Sequence, residues 1–465
     1  MIKINRNNFL LIAVIFLFFL RGFLNAYLPL MDKTEARYAE ISRMMVETNN
    51  WVTPQIDYNT PFWAKPPLST WLSALSMKLF GVNEFAVRLP SLLLSLLLVL
   101  LMKYFVKSKF AFYLLGFILM TTPEFLLHAG VVSTDTTLAF CITMIFLSFW
   151  KAVTESSSRL WGYLIFAFIG LGLLAKGPIV LILTIPPIFI WTIYFKEYKL
   201  VFKRIPWFIG TILSLVIAVP WYIMAEQRTE GFLEYFVIGE HFKRFFDSSW
   251  KGDKYGFPKS QPFGMVWVFL LGFAFPWIQI LIKRLWISRR NVIKDKWILF
   301  LMLWLCWLPV FFTSSKSLIH TYILPVMVPV ALLIKQYWEA IKIKKAVLIS
   351  SCILPVLAVV IIIVSLFNRN LETYSNTDKY LILSTNKTDS NLYYFGEKSY
   401  SSQFYSNGQV KGILNEELIK KIEDKEQFRI IIPNRRLKTI DQSIMHKLVV
   451  MDSSYKTKIY KHINN

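Results

Sequence analysis

Long apolar runs constrain this chain more than any other feature. Eleven stretches approach the roughly 20 residues that a helix needs to cross a bilayer, at 9–29, 89–106, 110–128, 136–153, 160–175, 177–195, 207–225, 263–282, 297–313, 318–334 and 346–366. Hydrophobic residues make up 55% of the chain and charged residues 17%, which excludes an ordinary water-soluble protein. We therefore predict an all-α polytopic membrane protein with about 11 to 13 transmembrane helices. The first run is predicted to stay as an anchor, because no small-residue cleavage site follows it.

The basic residues indicate how the helices are oriented. If the N-terminus is cytoplasmic, the inside loops contain 21 Lys and Arg residues and four acidic residues. The two long outer loops, 30–88 and 226–262, each contain six basic and six acidic residues. Positive charge collects on the cytoplasmic side of membrane proteins. The net charge of +23 is thus read as a topology signal and not as a nucleic-acid-binding surface. The prediction is a multi-pass membrane protein with a cytoplasmic N-terminus.

The C-terminal tail differs from the rest of the chain. Residues 368–465 hold 16 basic and 11 acidic residues, with β-like runs at 379–384, 428–433 and 447–452 and a helix-like segment at 415–425. This pattern predicts a small periplasmic α/β domain following a transmembrane domain at 1–367. No nucleotide-binding glycine motif and no repeat is evident.

The first outer loop contains two distinctive pieces. Thr34 is a favourable N-cap residue before a segment with alternating charged and apolar residues, which predicts an amphipathic helix on the membrane surface. Further on, Lys65 precedes two prolines, which stiffen the turn and hold the lysine in a fixed place.

Several motifs together resemble a known family. The strings TEARYAEISR at 34–43, FWAKPPLSTWL at 62–72 and FGVNEFAVRLP at 80–90 are similar to bacterial members of the protein O-mannosyltransferase superfamily, and in particular to aminoarabinose transferases of lipid A. The likeness continues through 133–136, 175–178, 239–242, 315–316 and 321–325, and so covers about residues 9–335. The motifs do not include the tail.

The resemblance implies a GT-C type glycosyltransferase. Such an enzyme takes a sugar from a polyprenyl phosphate, here expected to be undecaprenyl phosphate, and transfers it with inversion to an acceptor on the outer face of the inner membrane. Lipid A is the first acceptor to consider, with another glycan as the alternative; the other expected partner is membrane lipid, and nucleic acid is not expected. A protein O-glycosyltransferase of the same fold and a flippase for polyprenyl-linked glycans remain alternatives, although a flippase predicts inverted repeats.

The resemblance also implies substrate-binding residues. Lys65 matches a lysine that contacts the donor phosphate, and Lys176 is a lone cation between two apolar runs, where an unpartnered charge costs about 2.5–3.5 kcal/mol on insertion scales. Snorkelling of either lysine to the interface is the competing reading, and Tyr322 could equally be an interfacial tyrosine. The full predicted set is Arg37, Tyr38, Lys65, Lys176, His241, Arg244, Lys316 and Tyr322.

The catalytic carboxylates are predicted to be Asp135 together with Glu35 or Asp32. Family members have an aspartate at the position of Thr34, so its neighbours are the substitutes for a general base. Asp135 could also act as a helix cap. Glu124 and His128 are weaker candidates for the same cavity, and Arg21 could face Glu124 or snorkel.

No cofactor is predicted with certainty; the resemblance leaves a divalent metal possible, but one of its expected ligands is absent. Aminoarabinose-type relatives have a glutamate before the Lys-Pro lysine that can hold zinc together with a distant histidine. Here Ala64 replaces that ligand, which leaves His241 without its partner.

Overall fold

The structure is a computed structural model, and it describes residues 6–155, 159–243, 252, 254–255, 260–315, 317–367, 373, 375–385 and 391–462. Helices dominate its first 228 residues. They are α1 (Arg6–Tyr27), α2 (Thr34–Thr48), α3 (Leu68–Phe80), α4 (Glu84–Leu101), α5 (Lys109–Thr121), α6 (Pro123–His128), α7 (Thr134–Thr154), α8 (Leu160–Lys176), α9 (Ile179–Tyr194), α10 (Tyr198–Arg204) and α11 (Trp207–Arg228). A short hairpin of β1 (Gln55–Asp57) and β2 (Thr60–Pro61) lies in the first long loop.

A π-helical segment, Glu234–Lys243, lies in the second long loop, and further apolar helices follow it. They are α12 (Met265–Phe273), α13 (Trp277–Ile287), α14 (Arg289–Val292), α15 (Lys296–Phe312), α16 (Met327–Tyr337), α17 (Lys344–Ser351) and α18 (Ile353–Phe367). Short 3₁₀ segments occur at Met102–Phe105, His320–Val326 and Trp338–Ala340.

Each of the eleven predicted apolar runs lies on helical structure. Six helices in the described part of the chain are long and apolar enough to cross a membrane, and the number rises to seven if the pair α12 and α13, bent by 106°, counts as one span. The other four runs coincide with the shorter apolar helices α5, α8, α9 and α15. The polytopic all-α prediction is therefore confirmed, while the count of 11 to 13 spans stays a prediction.

Polar residues in the sequence define where several helices begin. The side chains of Asn83, Ser108, Ser133 and Asp295 each accept hydrogen bonds from free backbone N–H groups at the starts of α4, α5, α7 and α15. The best-buried of these helices is α7, which packs against α8 and α9. Phe146 of α7 stacks on Trp304 of α15 with ring centroids 4.5 Å apart. This packing holds the two helices in a fixed position relative to each other.

The helix predicted to start at Thr34 forms as α2 and does start there, but the predicted N-cap and the predicted surface location were wrong. Lys33 is the N-cap residue and no side chain caps the helix, so Thr34 does not have the predicted role. Ten residues of α2 are buried, including Glu35, Glu40 and Arg43, so α2 is not a helix lying exposed on a membrane surface. Its charges can be buried because they are paired: both oxygens of Glu40 accept hydrogen bonds from Arg43, at 2.7 and 2.8 Å.

The C-terminal part forms a small α/β domain. Its elements are α19 (Lys379–Ser384), β3 (Leu392–Phe395), α20 (Tyr400–Tyr405), β4 (Lys411–Ile413), α21 (Asn415–Glu423), β5 (Arg429–Pro433), a 3₁₀ turn Asn434–Thr439, α22 (Gln442–Met445), β6 (Leu448–Ser453) and β7 (Thr457–His462). The strand order is β4-β3-β5-β7-β6, with β3 parallel to β4 and β5, and β7 antiparallel to β5 and β6. The predicted strands at 428–433 and 447–452 and the helix at 415–425 are confirmed.

The run at 379–384 was predicted wrongly as β-like and is the helix α19. It buries Leu381 and Ile382 in a core that also contains Leu30, Ile41 and Phe62 of the first long loop. Tertiary packing against that loop overrides the local strand preference of Leu-Ile-Leu.

Ionic contacts hold the C-terminal domain on the first long loop. Asp32 accepts hydrogen bonds from Lys456 Nζ at 2.5 Å and from the Ser401 backbone N–H at 3.0 Å. Lys379 Nζ lies 2.6 Å from Glu84. The domain therefore packs directly on the loop that contains the predicted site residues.

Candidate active site

Lys176 and Asp135 form the centre of the site. Lys176 is the last residue of α8 and Asp135 lies in the first turn of α7, and their side chains meet at 2.5 Å. The Lys176 ammonium also lies 4.6 Å from the ring centroid of Tyr322. These three predicted site residues are thus brought together. An ammonium has three N–H donors, so Lys176 can bind an anion without releasing Asp135.

Gly177 allows the second long loop to approach this pair. Its backbone has φ +82°, and a Cβ at this position would lie 2.6 Å from the Phe236 ring and 3.1 Å from His241. His241 Nε2 is 3.3 Å from the Lys176 carbonyl oxygen. Only glycine fits a close approach with this backbone conformation.

Lys65 joins the two long loops. It follows the β1–β2 hairpin and precedes Pro66 and Pro67, and its Nζ contacts the Ala64 carbonyl at 2.6 Å and Glu240 Oε2 at 3.1 Å. Glu240 is buried, with 2% of its side chain exposed. Lys65 keeps an N–H for a further acceptor, so an anion can bind between the loops.

Arg37 and Tyr38 belong to an aromatic cluster beside Lys65. Arg37 Nη1 donates to the Tyr255 carbonyl at 2.7 Å, and its guanidinium lies 5.5 Å from the Phe62 ring. Phe62 packs edge-on against Tyr38 and Tyr255. The cluster positions the chain directly before Lys65.

Glu35 and Asp32 are both held by cations. Glu35 receives two hydrogen bonds from Arg88, at 2.7 and 2.8 Å, and further contacts from the backbone N–H groups of Met31 and Val132. Arg88 also donates to the carbonyls of Asn25, Leu28 and Pro29. Asp32 faces the C-terminal domain. Both carboxylates thus have cationic partners, and their catalytic role stays a prediction.

Glu124 lies in a cluster with two histidines beside the start of α7, where the Thr136 hydroxyl donates to the His128 carbonyl. Its carboxylate is fully buried and contacts His128 Nδ1 at 3.0 Å and His320 Nδ1 at 2.9 Å. Arg21 does not face Glu124 and instead donates to the Leu127 carbonyl at 2.9 Å. Arg244 and Lys316, the remaining predicted cations, lie outside the described residues.

The geometry around His241 does not fit a zinc site. His241 Nδ1 is 2.7 Å from the Phe236 carbonyl, Ala64 provides no ligand, and the nearby Glu240 carboxylate binds Lys65. Within the described ranges, no group of three or more His, Cys, Asp or Glu is arranged to hold a metal ion. Burial, reinforced by the Lys65 charge, lowers the pKa of His241 below its ordinary value of 6.5, so the ring is neutral at pH 7.

Sequence reasoning missed three residues of this region. Arg88 and Glu240 lie inside the motif strings at 80–90 and 239–242, and a charge within an apolar setting is a signal that a partner is required. His320 directly precedes the string at 321–325. The sequence does not show which residues pair, because Arg88 lies 53 positions from Glu35 and Glu240 lies 175 positions from Lys65.

Comparisons with known proteins agree with this architecture. Residues 9–236 match the family model described as dolichyl-phosphate-mannose-protein mannosyltransferase. An undecaprenyl phosphate-α-4-amino-4-deoxy-L-arabinose arabinosyl transferase of Erwinia tasmaniensis is 30% identical over 319 residues, covering 66% of this chain and 55% of the relative. A transferase of the same name from Wigglesworthia glossinidia brevipalpis is 29% identical over 357 residues, and the match covers 74% of this chain and 60% of that relative. The match thus spans little more than half of each relative's length.

Solved structures show the same fold. The crystal structure of ArnT from Cupriavidus metallidurans bound to undecaprenyl phosphate superposes with a TM-score of 0.76 at 17% identity, covering 98% of both chains. The apo structure of the same protein superposes with a TM-score of 0.78 and also covers 98% of both chains. Residues 9–236 of this chain therefore resemble the dolichyl-phosphate-mannose-protein mannosyltransferase family, and the chain as a whole has the GT-C fold of ArnT.

Proposed function

We propose that this protein is an integral membrane glycosyltransferase that transfers a sugar from undecaprenyl phosphate to lipid A. The observation that carries the proposal is the placement of Lys176 at the end of the apolar helix α8 and of Lys65 in the turn before α3, each beside a buried carboxylate. This arrangement suits a lipid-linked phosphate, whose headgroup needs cations at the membrane surface and whose tail needs an apolar path. The names of the curated relatives and the undecaprenyl phosphate bound in the ArnT crystal support the same donor.

The reaction is a single displacement at the anomeric carbon. The acceptor oxygen forms a bond to this carbon while the bond to the donor phosphate breaks, and the electron pair leaves with the phosphate. Attack on the side opposite the leaving group inverts the configuration. Lys65 and Lys176 neutralise the charge that develops on the leaving phosphate, which is a large catalytic term in a site that excludes water.

The buried partners of the two lysines hold them in place. Asp135 fixes Lys176 and Glu240 fixes Lys65, and Tyr322 covers the Lys176 ammonium. Preorganised cations need little rearrangement when charge develops. Arg37, Tyr38 and His241 complete the surroundings, and Arg244 and Lys316 are proposed as further phosphate ligands.

An apolar cavity supports a path for the lipid tail. It has a volume of about 520 Å³ and lies where the bent pair α12 and α13 meets α17 and α18. Leu271, Phe275, Ile353 and Leu354 line it, together with Pro123 next to Glu124. Its lining suits an isoprenoid chain that leaves the site between helices.

The site is proposed to open to the periplasm. The charge distribution of the loops supports a cytoplasmic N-terminus, with both long loops and the C-terminal domain outside. Single cysteines introduced at Lys425 and at Lys294 test this, because an impermeant maleimide should label the first and not the second in intact inner-membrane spheroplasts. The reverse labelling would contradict the orientation.

Transfer to protein is the second candidate, favoured by the family description that names a protein acceptor. Mass spectrometry of lipid A and of periplasmic glycoproteins, with and without the gene, separates the two. A sugar lost from lipid A in the deletion strain supports the proposal, whereas a sugar lost only from glycoproteins supports the second candidate. Polyprenyl-linked glycan accumulating in the cytoplasmic leaflet would indicate a flippase.

A further inference from the structure

Glu124 differs from the other buried carboxylates in its ionic partners. Among the described residues, the buried carboxylates of Glu35, Glu40, Asp135, Glu240 and Asp378 pair with Arg88, Arg43, Lys176, Lys65 and Lys456 respectively. Glu124 is fully buried and its ionic partners are His128 and His320. A carboxylate neutralised by Lys or Arg is a poor proton acceptor, since protonation would leave that cation unpaired. Glu124 differs from these carboxylates because its partners, His128 and His320, can themselves accept protons.

The two histidines are not equivalent. His128 is 2% exposed, and its Nδ1 lies between the carboxylate and the main-chain carbonyl of Glu124. His320 has a third of its side chain exposed, and its Nδ1 lies 2.9 and 3.2 Å from the two Glu124 oxygens. Its Nε2 has no hydrogen-bond partner in the part of the chain that the structure describes. Only His320 can therefore present a ring nitrogen to a substrate.

The ring of His320 is fixed in orientation. Phe273 stacks on it with centroids 4.4 Å apart and planes 5° apart, and Phe269 contacts it edge-on. A carboxylate that accepts from Nδ1–H selects the tautomer with a lone pair on Nε2 and stabilises the imidazolium that forms when Nε2 is protonated. A rigid carboxylate–histidine pair of this kind is the arrangement of a general base.

His320 also adjoins the cation site. Tyr322, two residues further on, lies over the Lys176 ammonium, which pairs with Asp135. Of the titratable groups, Glu124 contacts the His320 ring and the His128 ring lies 5.8 Å from it. A donor phosphate on Lys176 would thus place its sugar close to the exposed edge of the imidazole.

We propose that His320, oriented by Glu124, is the general base of the transfer and that the attacking group is a neutral hydroxyl. This inference rests on the proposed function. The acceptor O–H bond breaks and its proton goes to Nε2, while the oxygen bonds to the anomeric carbon and the phosphate leaves with the electron pair of the broken bond. An ionised phosphate acceptor has no proton to lose and would not need this pair.

The test measures transfer by purified full-length protein from undecaprenyl-phosphate-linked sugar to lipid A, in detergent. His320→Ala should lower kcat by about 10²–10⁴-fold, the range typical of general-base catalysis, and free imidazole should restore part of the rate. Glu124→Gln should lower kcat less and leave KM for the donor unchanged. His446→Ala, an exposed histidine of the C-terminal domain, is the matched control and should behave as wild type.

Three results would overturn the inference. They are unchanged kcat in His320→Ala, a loss of kcat that imidazole does not rescue, and tandem mass spectra that place the transferred sugar on a phosphate oxygen of lipid A. Each of them leaves the proposed function intact, because wild-type protein still transfers the sugar. Failure of wild-type protein to modify lipid A, with the donor intact, would instead contradict the proposed function.

Discussion

Lys65 and Glu240 form an ion pair of 3.1 Å that joins the two long loops at the end of the helical domain. The residues lie 175 positions apart, and both are held firmly: Lys65 by the prolines that follow it and Glu240 by burial. Together with Lys176 and Asp135, the pair places two ammonium groups and two carboxylates in one region. A charge-balanced site of this kind can take up a phosphate at the cost of little rearrangement.

Removal of either lysine should abolish transfer. We expect Lys65→Ala and Lys176→Ala each to reduce kcat by at least about 100-fold, because one lost electrostatic contact to developing charge costs roughly that factor. The measurement is sugar transfer to lipid A at equal amounts of membrane-inserted protein. Lys78→Ala is the control, since Lys78 lies in the same loop but over the Trp51 ring. Normal lipid A modification in both active-site variants would contradict the assigned roles.

Replacement of Arg88 should destabilise the fold. Arg88 is buried and donates to Glu35 and to three carbonyl groups, so Arg88→Ala leaves a buried carboxylate unpaired at a cost of about 3–5 kcal/mol. Arg88→Lys should rescue little, because an ammonium cannot reproduce the paired geometry of the guanidinium. Thermal unfolding in detergent measures the effect.

Glu35→Gln distinguishes a positioning role from a catalytic one. If Glu35 positions Arg88, unfolding temperature and activity should fall together, and activity should recover at lower temperature. Full stability combined with complete loss of transfer would instead indicate that Glu35 acts directly on the substrate.

A side chain at Gly177 should separate the second loop from Lys176. Gly177→Ala introduces a methyl group 2.6 Å from the Phe236 ring at a positive φ, which costs about 1–3 kcal/mol for the backbone alone. We expect a lower melting temperature and a higher KM for the donor. Gly22→Ala is the control, since a methyl group there makes only an ordinary contact, 3.6 Å from the Leu92 side chain. Equal behaviour of the two variants would contradict the close approach.

The protein should lose stability in mildly acidic solution through His241. Burial and the Lys65 charge lower the pKa of this histidine in the folded state below the 6.5 of the unfolded chain. Protonation therefore favours unfolding, so the contribution of His241 is fully present above pH 6.5 and is lost as the pH falls through the folded-state pKa. Melting temperatures between pH 5 and 8 should show a smaller decrease in His241→Gln than in wild-type protein. An equal decrease in both proteins would exclude His241 as the cause.

The sequence by itself determined the membrane class, the helical segments and most of the site. Apolar runs of helical length have one stable environment, so their positions follow from composition alone. Lys65, Lys176, Asp135 and Tyr322 were identified from the strings around them, and the structure brings the last three together. The strands at 428–433 and 447–452 were equally readable from local pattern.

Only the tertiary structure decided which charged side chains form ion pairs with one another. Whether Glu35 is a free base or the partner of Arg88 depends on packing across 53 residues, and whether α2 lies on a membrane or inside the protein depends on the C-terminal domain that covers it. The segment at 379–384 became a helix for the same reason. Desolvation makes pairing compulsory for buried charges, but it does not specify the partner. The partner is set by which helix ends and loops the packed core brings within about 3 Å of one another.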